Sequence, residues 1–154
     1  MRKLAIVSST LLFALFLRPL GSMHAQNKPG QAAEAERARS RLAISLLRGI
    51  NTAEAEYQKN HGGAYASWDV LVTSEEFTGR GMKWAAQFDP QLANAHFSAA
   101  PAILPGWVLR LNVTADGKGY DLLLEDATDM KCAYAALTDE RGVIRQSKAL
   151  DCPI

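Results

Sequence analysis

The chain has 154 residues, of which 48% are hydrophobic and 21% charged, with a formal net charge of +1 at neutral pH. That length gives one small domain able to bury its own core. The near-zero balance, with basic residues scattered along the chain, excludes the concentrated cationic footprint of a nucleic-acid binder.

Residues 1–25 read as a secretory signal peptide. Arg2 and Lys3 precede an apolar run over residues 4–17, and Arg18, Pro19 and Gly21 then break any helix ahead of small residues ending at Ala25. The run is shorter than the roughly 20 residues that span a hydrocarbon core. Cleavage after Ala25 is the expectation, although Met23 is bulky for the position three residues before the cut, and an uncleaved anchor is the alternative. Cleavage removes three of the 17 basic residues and leaves 14 against 16 acidic ones, so the mature chain is weakly acidic. Residues 26–40, with Asn27, Lys28, Pro29, Gly30 and Gln31 at their start, are expected to be a flexible polar lead-in to a single domain over residues 41–154.

A helix is expected over residues 34–60, where Arg, Glu, Ala and Leu dominate and proline is absent. Leu42, Leu46, Ile50, Ala53 and Tyr57 recur at spacings of four, four, three and four, which sets them on one face. Leu47 widens that stripe, while Arg41, Arg48, Glu56 and Lys59 point elsewhere. Gly49 costs helix stability and suggests a close approach of the helix to the sheet. The helix stops at Asn60-His-Gly-Gly63, where glycine takes the left-handed conformation.

Residues 64–105 read as a long connection punctuated by Gly79, Gly81, Pro90, Pro101 and Pro105. Within it Ser67 is placed to N-cap a short turn containing Trp68, Val70 and Leu71. Strands follow. Trp107, Leu109, Leu111 and Val113 alternate with more polar neighbours, Asp116-Gly-Lys-Gly119 is a turn signal, and Tyr120, Leu122 and Leu124 alternate again. A third strand over residues 133–138 turns through Asp139-Glu-Arg-Gly142 into a fourth over residues 143–146. The expected class is α+β, with one long N-terminal helix packed on a four-stranded antiparallel sheet.

Cys132 and Cys152, an even pair in a chain read as exported, are expected to form a disulfide. Closing that loop constrains the unfolded chain by about 3 kcal/mol in the entropy model. A zinc site needs four closely spaced ligands, and the chain holds no Cys-x-x-Cys.

Two segments carry a family likeness. Arg48-Gly-Ile-Asn-Thr-Ala-Glu-Ala-Glu-Tyr57 followed by His61-Gly-Gly-Ala-Tyr-Ala-Ser67 resembles the helix end and exit loop that begin the head domain of bacterial type IV pilin-like proteins. Leu137-Thr-Asp-Glu-Arg-Gly-Val-Ile-Arg145 is similar to a hairpin near the end of many pilin-like and major pseudopilin-like chains. With the C-terminal cysteines they bracket residues 42–152. The resemblance implies a pilin-like head, in which the C-terminal half of a long helix lies across an antiparallel sheet. The departure is at the N-terminus. No Gly-Phe-x-x-x-x-Glu pattern follows the apolar segment, and the helix begins with charged residues, so filament assembly does not carry over.

Chemistry-bearing residues are sparse. Glu54 and Glu56 flank Ala55 and leave a helix about 200° apart, so they do not form an acid–base pair. Glu54 is expected to bond a backbone group of the following loop. His61 and His96 lack a His-x-x-x-His spacing, and His61 is placed to meet the helix C-terminal dipole. Ser67 and Ser98 have no Gly-x-Ser-x-Gly context. Glu125, Asp126 and Asp129 read as a solvated acidic turn without an EF-hand pattern. Trp68, Trp84 and Trp107 read as core residues, with a surface patch as the alternative for Trp84. The sequence therefore predicts no catalytic, metal or cofactor site and no nucleic-acid partner. It predicts an exported non-enzymatic domain, periplasmic or secreted, that serves as a structural or protein-interaction module of the cell envelope with an unknown partner. If residues 4–17 are retained, the alternative is a membrane-tethered minor subunit of a type IV pilus-like or type II secretion assembly. A small envelope ligand-binding protein or hydrolase is a further alternative, and it requires a pocket with convergent polar groups.

Overall fold

A computed structural model of the chain describes residues 29–128 and 131–148. The first helix, α1, runs over Pro29–Asn60, five residues earlier than its expected start. Most of the expected lead-in over residues 26–40 is therefore helical. Proline suits a first helical position, where its missing N–H has no acceptor to lose, and the Ala, Glu and Arg residues that follow are strong helix formers. The helix ends as expected. Gly62 and Gly63 have φ of 70° and 86°, and the Gly63 N–H bonds the Gln58 carbonyl at 2.8 Å.

The stripe read from the sequence is the buried face. Leu46, Ile50 and Ala53 are fully buried, as are Ala43 and Leu47 beside them. Leu42 and Tyr57, at the two ends of the stripe, are half-buried against the same core. Full burial on flanks as well as face means that α1 is enclosed by more than the sheet. The second wall comes from the connection over residues 64–105, which is more ordered than its punctuation suggests. It contains a short helix α2 (Trp68–Leu71), a π-helical segment (Glu76–Gly81) running into α3 (Met82–Ala85), and a 3₁₀ turn (Pro90–Asn94).

Trp68, Phe77 and Phe97 pack edge to face with ring centroids 5.2 to 6.1 Å apart, and the Trp68 indole donates to the Ser98 carbonyl at 3.0 Å. This aromatic cluster replaces the regular periodicity that the segment lacks. Ser67 occupies the N-cap position of α2, but its side chain makes no capping bond.

Gly49 does permit a close approach, though to the π-helical segment and not to the sheet. A Cβ on Gly49 would lie 2.6 Å from Met82 Cε and 3.0 Å from the Gly81 carbonyl, and one on Gly81 would lie 2.7 Å from the Gly49 carbonyl. The second clash is with backbone, which cannot rotate away. Gly81→Ala is therefore expected to cost roughly 1–3 kcal/mol, the range for overpacking, read as a lower denaturation midpoint. An unchanged midpoint would mean the two backbones are not in contact.

The sheet is an antiparallel meander of β1 (Trp107–Val113), β2 (Tyr120–Asp126), β3 (Ala135–Asp139) and β4 (Arg145–Ser147), in that spatial order. Trp107, Leu109, Tyr120, Leu122, Leu124 and Ala136 face the core, and Leu109 pairs with Leu124 and Leu122 with Thr138. β3 and β4 each begin two residues later than expected. Gly142, at φ 73°, closes the turn, and two further residues are needed before Arg145 reaches its register opposite Leu137. Val143 is left exposed and Ile144 packs against the core. Among the described residues no helix is long and apolar enough to cross a membrane. The expected signal segment, Asp129 and Cys152 lie outside the described residues; Cys132, the described half of the expected disulfide, is half-buried.

Candidate functional site

The residues that give the sequence its character meet at the junction of α1, its exit loop and the sheet. Glu54 is 0% exposed. Its Oε2 accepts the Ala66 N–H at 3.0 Å, the loop bond expected from the sequence. Its Oε1 has no hydrogen-bond partner. Burial pushes the Glu54 carboxyl up to about 7, against the opposing pull of the Ala66 N–H. On the preceding residue of the loop, the Tyr65 N–H bonds the Gly117 carbonyl at the tip of the β1–β2 hairpin at 3.0 Å. The exit loop is thus held from the helix at Ala66 and from the sheet at Tyr65.

Asn51, one turn before Glu54, bridges to two strands. It donates to Thr138 Oγ1 on β3 at 3.0 Å and accepts from the Tyr120 hydroxyl on β2 at 2.8 Å. The Tyr120 ring meets Tyr65 edge to face at 4.9 Å. Burial raises the Tyr120 hydroxyl well above the usual tyrosine range, with the Glu54 and Tyr65 charges adding to it. This places Asn51 of the first family-like segment in direct contact with Thr138 of the second.

Glu56 faces away from this junction and pairs with Arg80, as the 200° separation requires. His61 stacks on Tyr57 with centroids 3.8 Å apart, its Nδ1 2.9 Å from the Tyr57 carbonyl at the helix end. His96 is exposed at the rim of a hollow lined by Leu42, Leu92, Leu104 and Trp107. The acidic turn is a correction. Asp126 is 7% exposed, with Arg39 bonded to both of its oxygens and the Thr128 N–H and hydroxyl each at 2.8 Å. Burial raises its carboxyl, but the Arg39 and Thr128 bonds outweigh burial and hold it below the usual range. A run of acids reads the same whether it is solvated or tied to a distant arginine, and Arg39 is 87 residues away.

Comparison with known protein families, with curated proteins and with solved structures finds no match. The chemical reading of the chain therefore rests on its own geometry. At the junction, the sealed carboxyl of Glu54 has no route to a substrate, and its bonded neighbour is a backbone amide. Such an arrangement fixes a loop.

The open surfaces lie elsewhere, on either side of the first half of α1. One is the hollow beside His96, about 720 Å³. The other, about 520 Å³, runs along the outer face of α1 between Phe88 and Gln146. Trp84, for which a surface role was one expectation, is half-buried and packs on exposed Phe88 with ring centroids 4.6 Å apart. Phe88 itself and the alignment of Arg37, Arg41 and Arg48 were missed. The four- and seven-residue spacing of those arginines was the available signal.

Proposed function

We propose that the chain is an exported, pilin-like domain that works as a structural or protein-interaction module of the cell envelope, not as an enzyme. The observation that carries this reading is the use made of the motif residues. Asn51 joins α1 to β2 and β3, and Glu54 joins α1 to its exit loop. Both sit inside the segments that resemble pilin-like heads, and both hold the helix and loop in place on the sheet. A scaffold built this way presents its outer helix face and its connection to other molecules.

N-terminal sequencing and intact mass of the protein from its native host, with membrane and soluble fractions separated, test the export half of the reading. A chain beginning at Gln26 in the soluble envelope fraction is the expected result. A full-length chain in the membrane fraction would move the assignment to a tethered subunit of a pilus-like or secretion assembly. A full-length chain in the cytosol would overturn export altogether.

A further inference from the structure

Arg37, Arg41 and Arg48 are far apart in the sequence pattern but share one side of α1. At 100° per residue their side chains leave the helix within about 40° of one another, on the face opposite Leu46 and Ile50. All three are exposed. None has a carboxylate partner among the described residues: Glu34, three residues before Arg37, makes no ion pair, and Glu36 and Glu56 pair with Lys148 and Arg80. Like charges one turn apart weaken a helix, so this alignment does nothing for the stability of α1.

The same three arginines line the 520 Å³ groove together with Ile44, Phe88, Gln146 and a single carboxylate, that of Glu36, which is paired with Lys148. Phe88 is 44% exposed and carries the Arg48 guanidinium over its ring at 5.6 Å. Three arginines without carboxylate partners beside apolar Ile44 and Phe88, on a chain that is otherwise weakly acidic, select a ligand with the complementary pattern. We infer that this groove docks an acidic segment of a partner protein, with an apolar side chain seated between Ile44 and Phe88 and carboxylates facing Arg37, Arg41 and Arg48.

Two features favour a protein segment. The cations line a concavity, whereas a lipid surface is met by a convex or flat basic face. The helix rise separates Arg37 from Arg41 by about 6 Å and Arg41 from Arg48 by about 10 Å, the separations of carboxylates on a second helix with the same spacing. Strand addition at the neighbouring sheet edge is disfavoured, because β4 has only three residues, begins with Arg145 and is followed by Lys148.

The inference rests on the interaction-module reading, but it is tested separately from export. The probe is a fluorescently labelled peptide, helical by design, with glutamates at the four- and seven-residue spacing and a leucine between the last two. A second peptide has lysines in place of the glutamates. Anisotropy is measured with the full chain and with the R41E/R48E variant, whose folding is checked by a cooperative melting transition. The glutamate peptide is expected to bind the wild type and to lose at least about tenfold in affinity on R41E/R48E, while the lysine peptide gains on that variant. Equal binding of either peptide to both proteins, or no binding of the glutamate peptide, would overturn the inference. So would arginine-dependent retention on phosphatidylglycerol vesicles without peptide binding, which would assign the groove to a lipid surface. None of these outcomes bears on where the mature chain begins.

Discussion

Ile50→Asp is expected to abolish cooperative folding. Ile50 is fully buried in the core cluster shared by α1, the sheet and the aromatic connection. An aspartate there loses the transfer energy of the isoleucine and places an unpaired carboxylate where no water reaches it. Together these exceed about 4 kcal/mol, a large share of the roughly 5–15 kcal/mol that stabilises a small domain. Two further substitutions separate this cause from a general effect of charge or volume. Ile50→Val, which removes one methylene, is expected to cost about 1 kcal/mol. Ala55→Asp adds the same charge to the same helix at an exposed position and is expected to cost no more than about 1 kcal/mol, mostly helix propensity. Chemical denaturation of the three variants reads the result. A cooperative transition for Ile50→Asp near that of the wild type would mean that this face of α1 is not packed.

That face was legible in the sequence because burial there follows the helical repeat, and Leu46, Ile50 and Ala53 recur at that period. The β1–β2 hairpin was legible for a similar reason, since its alternation and its Gly117 turn are both local. What lay outside the repeat was not. Leu47 and Ala43 are as deeply buried as Ile50 because a second layer covers the flank of α1, and that layer is held together by Trp68, Phe77 and Phe97 at no regular spacing. Gly49 advertised a missing Cβ, but only the fold says that Gly81 fills the space.

The polar residues divide in the same way. Glu54 sits 12 positions from Ala66, across a helix end that the sequence marks clearly, so its loop bond could be anticipated. Asp126 and Arg39 are joined across most of the domain, and nothing local distinguishes that aspartate from a solvated one. The arginine groove falls between the two cases. Its spacing is visible along the chain, yet that no described carboxylate pairs with these arginines, and that Phe88 lies beside Arg48, are facts of packing.

Replacing Glu54 is expected to change how stability depends on pH. The folded-state carboxyl titrates near 7, against an ordinary value of 4.5. A carboxyl whose pKa is raised by folding contributes stability that is fully present below about pH 4.5 and is lost as pH rises through about 7. The wild type is therefore expected to lose about 3 kcal/mol between pH 5 and pH 8 through this group. Asp116, Asp126 and Asp139 are held below their ordinary value of 3.8, so their titration falls in more acid solution than this window. Glu54→Gln keeps an oxygen to accept the Ala66 N–H and removes the charge. Its stability curve is expected to be flatter over the same range, lying close to the wild type at pH 5 and at or above it at pH 8. Glu54→Ala loses the acceptor as well and leaves a cavity, so it is expected to fall below Glu54→Gln at every pH, by roughly 2 kcal/mol. Urea denaturation midpoints across pH, together with hydrogen exchange of the Ala66 amide, separate the two effects. Parallel curves for wild type and Glu54→Gln would mean that the carboxyl is not sealed from water. An Ala66 amide equally protected in Glu54→Ala would mean that the carboxyl does not hold the loop.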